Sequence, residues 1–417
     1  MQEKSSIFYG WYIVAASFFC VSTGTSTFLF SSLGLFMQPF NNEFGWNRAQ
    51  ISSIIPILVV SLALTQPFAG RFIDRLGTTK LLIPSTIIFG ILLATIPILV
   101  SKLWHFGLIF FLFGTLGFAA NTMPYLRIVS SWFNRKRGLA IGLSISGIGL
   151  GYFYVPLLVQ TIIDTHGWRS AYYAMSLIVL FITVPIIYLV LKESPEDLGL
   201  SPDGLKNDEP GVVSLNQTGL TSSEAMKKRE FWLLTLIFVF IAFSLHGILP
   251  HLFPLLTDKG LDNSTAAKIT SAMGITVMVS RVFIGFLLDI YFAPRVALIF
   301  FALSAVGFGI LSLSISAPFL LLAAILVGLS LGAEVDILAY LIGKYFGLRS
   351  FAEIYGLLFV GVFFGTAMGP YAFGYGFENT GSYSIVLIAA IVLNFAALLL
   401  IMKLGPYTKL EETFPPK

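Results

Sequence analysis

Apolar residues in this chain neither alternate nor recur at a helical period. They run almost unbroken for about twenty residues at a time, and polar residues gather between the runs. Crossing about 30 Å of hydrocarbon at about 1.5 Å per residue takes roughly 20 residues of helix. Runs of that kind fall near residues 8–36, 49–70, 81–100, 105–129, 138–163 and 170–191, then 231–256, 265–290, 295–314, 318–342, 352–375 and 383–403. The pattern predicts an all-α membrane protein with twelve transmembrane helices in two six-helix bundles. Between the sixth and seventh runs lie SPEDLGLSPDG and LKNDEPG, too polar and too rich in Pro and Gly to bury a core. The expected domains are therefore 1–191, a cytoplasmic linker 192–230, and 231–417.

Composition agrees with lipid as the solvent. Of 417 residues, 56% are apolar and 11% charged, a balance outside the range of soluble domains. The basic residues are scattered over short loops, so the net charge of +4 suggests membrane topology and no nucleic-acid partner. Loops placed on one side collect most of the Lys and Arg, including Arg71, Arg75, Lys80, Arg135, Lys136, Arg137, Lys344 and Arg349. The positive-inside rule makes that side cytoplasmic and puts both termini there. The first run has no small-residue cleavage site, so it is expected to be retained as a helix. Cys20 is the single cysteine, which excludes an intrachain disulfide. No metal-ligand cluster and no phosphate-cradling G-x-x-x-x-G-K-[ST] is present, so no cofactor, metal, enzyme activity or ATP-driven pump is predicted.

The two halves share a repeat. At one fixed offset Gly142-Leu143 matches Gly356-Leu357, Gly147 matches Gly361, Gly151 matches Gly365 and Pro156 matches Pro370. One residue further, Gly70-x-x-x-Asp74 matches Gly285-x-x-x-Asp289. Repeats of this kind are typical of transporters built from two similar bundles, with the substrate near the midplane. The four-residue glycine spacing lets helix backbones approach closely.

Ionisable residues inside the runs are costly in lipid and mark candidate sites. Arg281 lies within an otherwise apolar run, and its planar fork suits one carboxylate. A dianion would ask for a second cation, so the count favours a monocarboxylate; the alternative for Arg281 is an internal salt bridge to Glu334 or Asp336. Those two acids are two residues apart and face different sides of their helix, which leaves one for the pathway, as a gate or proton carrier, and one for a partner such as Arg295. His246 and His251 are five residues apart, so both are not expected in a cavity. His251, within Leu249-Pro250-His251-Leu252-Phe253-Pro254, is a candidate for substrate contact, or else it bonds a main-chain carbonyl where prolines break the helix. Leu29, Asn121, Tyr125, Tyr355 and Phe359 are candidates for the binding wall, against a plain packing role in a Phe-rich bundle. Hydroxyls at Ser22, Thr23, Thr25, Ser26 and Thr27 could meet substrate or bond their own helix.

The segment Gly70-Arg71-Phe72-Ile73-Asp74-Arg75-Leu76-Gly77 resembles the signature loop of the major facilitator superfamily. Trp132-Phe133-Asn134-Arg135-Lys136-Arg137-Gly138, continuing to Gly151, resembles the helix 5 signature of its monocarboxylate transporters. Gly332-Ala333-Glu334-Val335-Asp336 and Lys344-Tyr345-Phe346-Gly347-Leu348-Arg349 are similar to bacterial members, including the oxalate:formate antiporters. The resemblance implies the major facilitator fold and a secondary transporter in a bacterial cytoplasmic membrane. It would move a small monocarboxylate such as L-lactate or pyruvate with a proton, working as a monomer, or alternatively exchange organic anions. Asp74 and Arg75 would then latch the cytoplasmic face. The chain departs from the animal transporters at Leu29, where they carry a Lys, and at Val277, where they carry an acid. It departs from the oxalate:formate antiporters in having no Lys or Arg on helix 11.

Overall fold

A computed structural model describes residues 8–204, 219–313, 316–347 and 349–407, apart from the side chains of 66–76 and 352. Hydrocarbon offers no water to main-chain N–H and C=O groups, so a crossing segment must satisfy them internally. The apolar runs accordingly form helices: α1 Gly10–Ser22, α2 Thr25–Phe44, α3 Arg48–Ser52, α4 Ile54–Leu76, α5 Thr78–Leu99, α6 Leu103–Thr115, α7 Thr122–Trp132, α8 Arg137–Ile145 and α9 Gly147–Ile178. After these come α10 Val184–Val190, α11 Ser222–Met226, α12 Arg229–Ile248, α13 Leu252–Asp258, α14 Asn263–Ile290, α15 Ala293–Leu313, α16 Ala317–Phe346, α17 Phe351–Thr380 and α18 Ser384–Met402. Among the described residues ten helical stretches are long and apolar enough to cross a membrane, with Leu103–Thr115 as a shorter one. The stretch Arg137–Val190 holds 54 residues and turns at Gly167, whose φ of 80° suits glycine, so it accounts for two of the predicted runs.

The chain divides into two compact units, Met1–Trp46 with Ile57–Glu209, and Asn47–Pro56 with Pro210–Lys417. In the first unit, two runs read from the sequence as continuous are broken. The first breaks at Thr23 and Gly24 between α1 and α2, the fourth at Leu116–Asn121 between α6 and α7. The two breaks satisfy each other: Thr25 N donates to Ala120 O at 2.8 Å, and Thr25 Oγ1 donates to the same oxygen at 3.1 Å. Thr27 Oγ1 caps Val21 O at 3.0 Å and Thr23 Oγ1 caps Cys20 O at 2.9 Å. The helix 1 hydroxyls Thr23, Thr25 and Thr27 are thus engaged with main-chain carbonyls. Ser and Thr inside an apolar run look alike in sequence whether they bridge a break or an intact turn, which hid the interruption at Thr23 and Gly24.

Glycine sets the closest helix approaches, in the same way in each unit. A Cβ on Gly147 or Gly151 of α9 would collide with Phe18 O or Ser22 O of α1. On α17, a Cβ at Gly361 would stand 2.9 Å from the Val239 side chain, and one at Gly365 would stand 2.6 Å from Val239 O, both on α12. The repeat seen in α9 and α17 therefore extends to the helices they touch.

Part of the linker is ordered against the first unit. Glu193 Oε1 accepts from Thr78 N at 2.7 Å, and Asp203 Oδ2 accepts from Asn134 N and Arg135 N at 2.8 and 2.7 Å. The stretch LKNDEPG lies outside the described residues. Beyond it, Leu220 N donates to Phe346 O at 2.8 Å, and Thr221 with Glu224 forms a capping box that starts α11. The capping-box hydrogen bonds hold the Glu224 carboxyl below the usual carboxylate range.

Candidate functional site

Helix α14 starts at Asp262, whose side chain accepts from Thr265 N at 2.9 Å, and continues without a break past Arg281. It packs tightly on α16 because Gly332 leaves room: a Cβ there would stand 2.5 Å from Val277 O and 2.8 Å from Ser280 Cβ. Ser280 Oγ donates to Leu329 O at 2.6 Å and pins the seam. The Arg281 guanidinium comes to rest with Nη1 3.6 Å from Asp336 Oδ2. That distance is an ion pair but too long for a good hydrogen bond. The Arg281 side chain is 7% exposed, its Nε has no hydrogen-bond partner, and Asp336 is 33% exposed. A buried guanidinium with an unused donor and a loosely held counter-ion can accept a carboxylate.

Glu334 points elsewhere from the same helix. Its Oε2 lies 3.2 Å from His246 Nε2 of α12, it is 1% exposed, and neither carboxylate oxygen makes a hydrogen bond. The two acids do face different sides, as their spacing requires. The expected partner Arg295 is involved with neither; its guanidinium lies 6.0 Å from the Phe292 ring centroid. Each acid instead meets an ionisable side chain on a neighbouring helix.

From α17, Tyr355 lies within Coulombic range of Arg281, Asp336 and Glu334. Phe351, Tyr355 and Phe359 stack at four-residue spacing, with centroids 5.9 and 4.8 Å apart, and Phe363 meets Phe359 edge-on at 5.2 Å. One helix face thus carries an aromatic ladder whose Tyr355 step adjoins the charges.

His251 sits apart, in the 3-10 turn Leu249–His251 that Pro250 and Pro254 impose between α12 and α13. It is fully buried and engaged on both nitrogens: Nε2 is 2.8 Å from Pro370 O and 3.0 Å from Ser52 Oγ, and Nδ1 is 2.9 Å from Tyr383 Oη. A carbonyl can only accept, so Nε2 carries the hydrogen and Nδ1 accepts from the Tyr383 hydroxyl. Tyr383 Oη in turn accepts from Arg48 Nη1 at 2.9 Å, and Arg48 makes a forked pair with Asp258, Nη2 to Oδ1 at 2.8 Å. This chain holds α3 on α17 in the second unit. Of the two sequence alternatives for His251, the carbonyl bond is the one present here.

The remaining candidates fall in the first unit. Leu29 is buried in α2. Asn121 caps α7 by accepting from Thr122 N at 2.8 Å. Tyr125 is buried in the same core cluster as Cys20. The side chains of Asp74 and Arg75 lie outside the described residues. His246 was not singled out over His251 in sequence, because only the fold brings α12 and α16 together. Arg48, Asp258 and Tyr383 likewise gave no local signal. Gly328-Leu329-Ser330-Leu331-Gly332 does have the spacing of a hydrolase nucleophile elbow. It lies inside α16, its glycines face α14, and Ser330 Oγ donates to Phe300 O, so it is a packing seam.

Comparison with known proteins places this chain in a family. Human monocarboxylate transporter 11 is 25% identical over 401 residues, covering 93% of this chain and 81% of that one. Rat monocarboxylate transporter 2 is 24% identical over 428 residues, covering 97% and 85%. The Escherichia coli uncharacterized MFS-type transporter YhjX is 24% identical over 320 residues, covering 75% of each. Among solved structures, a bacterial homolog of the human lysosomal transporter Spinster, inward-facing and unoccupied, superposes with a TM-score of 0.68 at 19% identity, covering 96% of this chain and all of that one. The family model matches residues 15–352 and 252–416, and the chain belongs to the Major Facilitator Superfamily.

Proposed function

We propose that the protein is a secondary active transporter that carries a small monocarboxylate, such as L-lactate or pyruvate, together with a proton by alternating access. The observation that carries the reading is Arg281: a cation inside a membrane helix, 7% exposed, with one unused donor and Asp336 held at 3.6 Å. A substrate carboxylate that replaced Asp336 would gain two parallel charge-assisted hydrogen bonds. Tyr355 and Phe359 supply an apolar wall with one hydroxyl, which suits a small acid better than a sugar. The similarity to named monocarboxylate transporters supports the same class. Leu29, Asn121 and Tyr125 are proposed as further substrate-contacting residues, and Asp74 with Arg75 as gating residues. A bacterial inner membrane with both termini cytoplasmic is the location proposed from the basic loops.

The test is uptake of labelled L-lactate into proteoliposomes, with and without an inward proton gradient, against unlabelled pyruvate, formate and oxalate. Gradient-driven uptake that pyruvate inhibits and oxalate leaves alone supports the proposal. Gradient-independent uptake that needs an internal counter-anion would move the protein to anion exchange.

A further inference from the structure

We propose that Glu334 and His246 together form the proton-carrying pair of this transporter, while Asp336 is the exchangeable counter-ion of Arg281. The inference rests on the carboxylate site proposed at Arg281. Glu334 is 1% exposed and neither of its oxygens is hydrogen-bonded, a state that a native interior rarely leaves without a purpose. His246 Nε2, 3.2 Å away, can share a proton with it, and that imidazole is 20% exposed, so the buried acid has a protonatable link to an accessible surface. Asp336 differs in exposure and in partner: its side chain is 33% exposed and faces a permanent cation.

The groups that set the balance come from every helix packed on α16. Helix α12 brings His246, α14 brings Arg281, α17 brings Tyr355, and α16 itself brings Asp336. The ionisable side chain of α15, Arg295, lies in its first turn against Phe292. Other carboxylates and cations on these helices stand close to helix ends. Arg281 and Asp336 cancel, so the cluster is neutral when Glu334 and His246 hold one proton between them, as acid with imidazole or carboxylate with imidazolium. A monocarboxylate arriving at Arg281 adds one negative charge, and one further proton restores neutrality. Net charge is what low-dielectric surroundings penalise, so anion and proton binding favour each other, and by linkage each by the same factor. The proton bound on one side leaves on the other after the anion has gone; no other bond forms or breaks.

Infrared difference spectra of the full-length protein in lipid, taken between acidic and alkaline buffers without substrate, test the pair directly. The expected result is a carboxylic-acid carbonyl band that is lost in Glu334→Gln, shifted in His246→Gln and kept in Asp336→Asn. In proteoliposomes, His246→Gln, left with no second proton site beside the anion, should lose the stimulation of L-lactate uptake by an inward proton gradient, whereas Glu334→Gln keeps an imidazole that can still take one proton. A band that disappears with Asp336→Asn instead, or gradient stimulation that survives His246→Gln, overturns the assignment. If the parent protein moves no L-lactate yet the band follows Glu334, the pair stands and the substrate reading fails. Should Glu334→Gln not fold, the His246→Gln spectrum decides, because an unshifted band excludes the imidazole as partner.

Discussion

Adding one methyl group to α17 should have opposite effects at two glycines of that helix. At Gly365 an added Cβ would stand 2.6 Å from Val239 O and 2.8 Å from Phe243 N, both main-chain atoms of α12 that cannot turn aside. Ordinary contact begins at 3.4 Å, so α12 and α17 would have to part by about 0.8 Å. A gap of about 0.5–1 Å already forfeits a quarter to a half of a dispersion well. In lipid, where packing rather than water exclusion joins helices, that loss extends along the seam. Overpacking costs typically about 1–3 kcal/mol, and the better helix propensity of Ala returns up to about 1 kcal/mol. Gly365→Ala should therefore destabilise by up to about 2 kcal/mol, and Gly369→Ala, aimed at Phe243 O, by more. Gly356, on the same helix, has nothing within 4 Å of an added Cβ, so Gly356→Ala should stabilise by about 0.5–1 kcal/mol. Thermal unfolding of the three purified variants, followed by tryptophan fluorescence against the parent, ranks them. Equal unfolding temperatures for Gly369→Ala and Gly356→Ala would refute the close-approach argument.

Other expectations are as direct. Arg281→Lys keeps the charge but loses the fork, and a lost charge-assisted hydrogen bond of about 1.5–3 kcal/mol predicts at least about a tenfold drop in L-lactate uptake; parental uptake would place the carboxylate elsewhere. His251→Phe keeps a ring but removes the partner of Ser52, Pro370 and Tyr383, at about 1–3 kcal/mol for each buried group left unsatisfied. It should lower the unfolding temperature with little change in substrate affinity, whereas an unchanged unfolding temperature with weakened L-lactate binding would make His251 a ligand. Cys20, 0% exposed, should resist a maleimide in native membranes and react fully in denaturing detergent, and rapid native labelling would contradict the packing of α1.

Run lengths and composition by themselves determine that this chain lives in a bilayer, that it has two matched halves, and that Arg281, Glu334 and Asp336 are costly enough to matter. Those conclusions are local: each needs only twenty residues of apolar context or one repeated spacing. The glycine pairs were legible for the same reason, since a missing side chain is itself a statement about a neighbouring helix. Which acid meets which base was decided only by tertiary structure. Asp336 met Arg281 and Glu334 met His246 because the Gly332 seam sets α14 against one side of α16 while α12 lies on another. Nothing in α16 alone reports that arrangement. The breaks at Gly24 and Leu116–Asn121 are joint in the same way, for Thr25 on one side of the first donates both its N–H and its hydroxyl to Ala120 O in the second. His251, singled out in sequence for its prolines, found its partners on α3, α17 and Tyr383, residues far away along the chain that no periodicity connects.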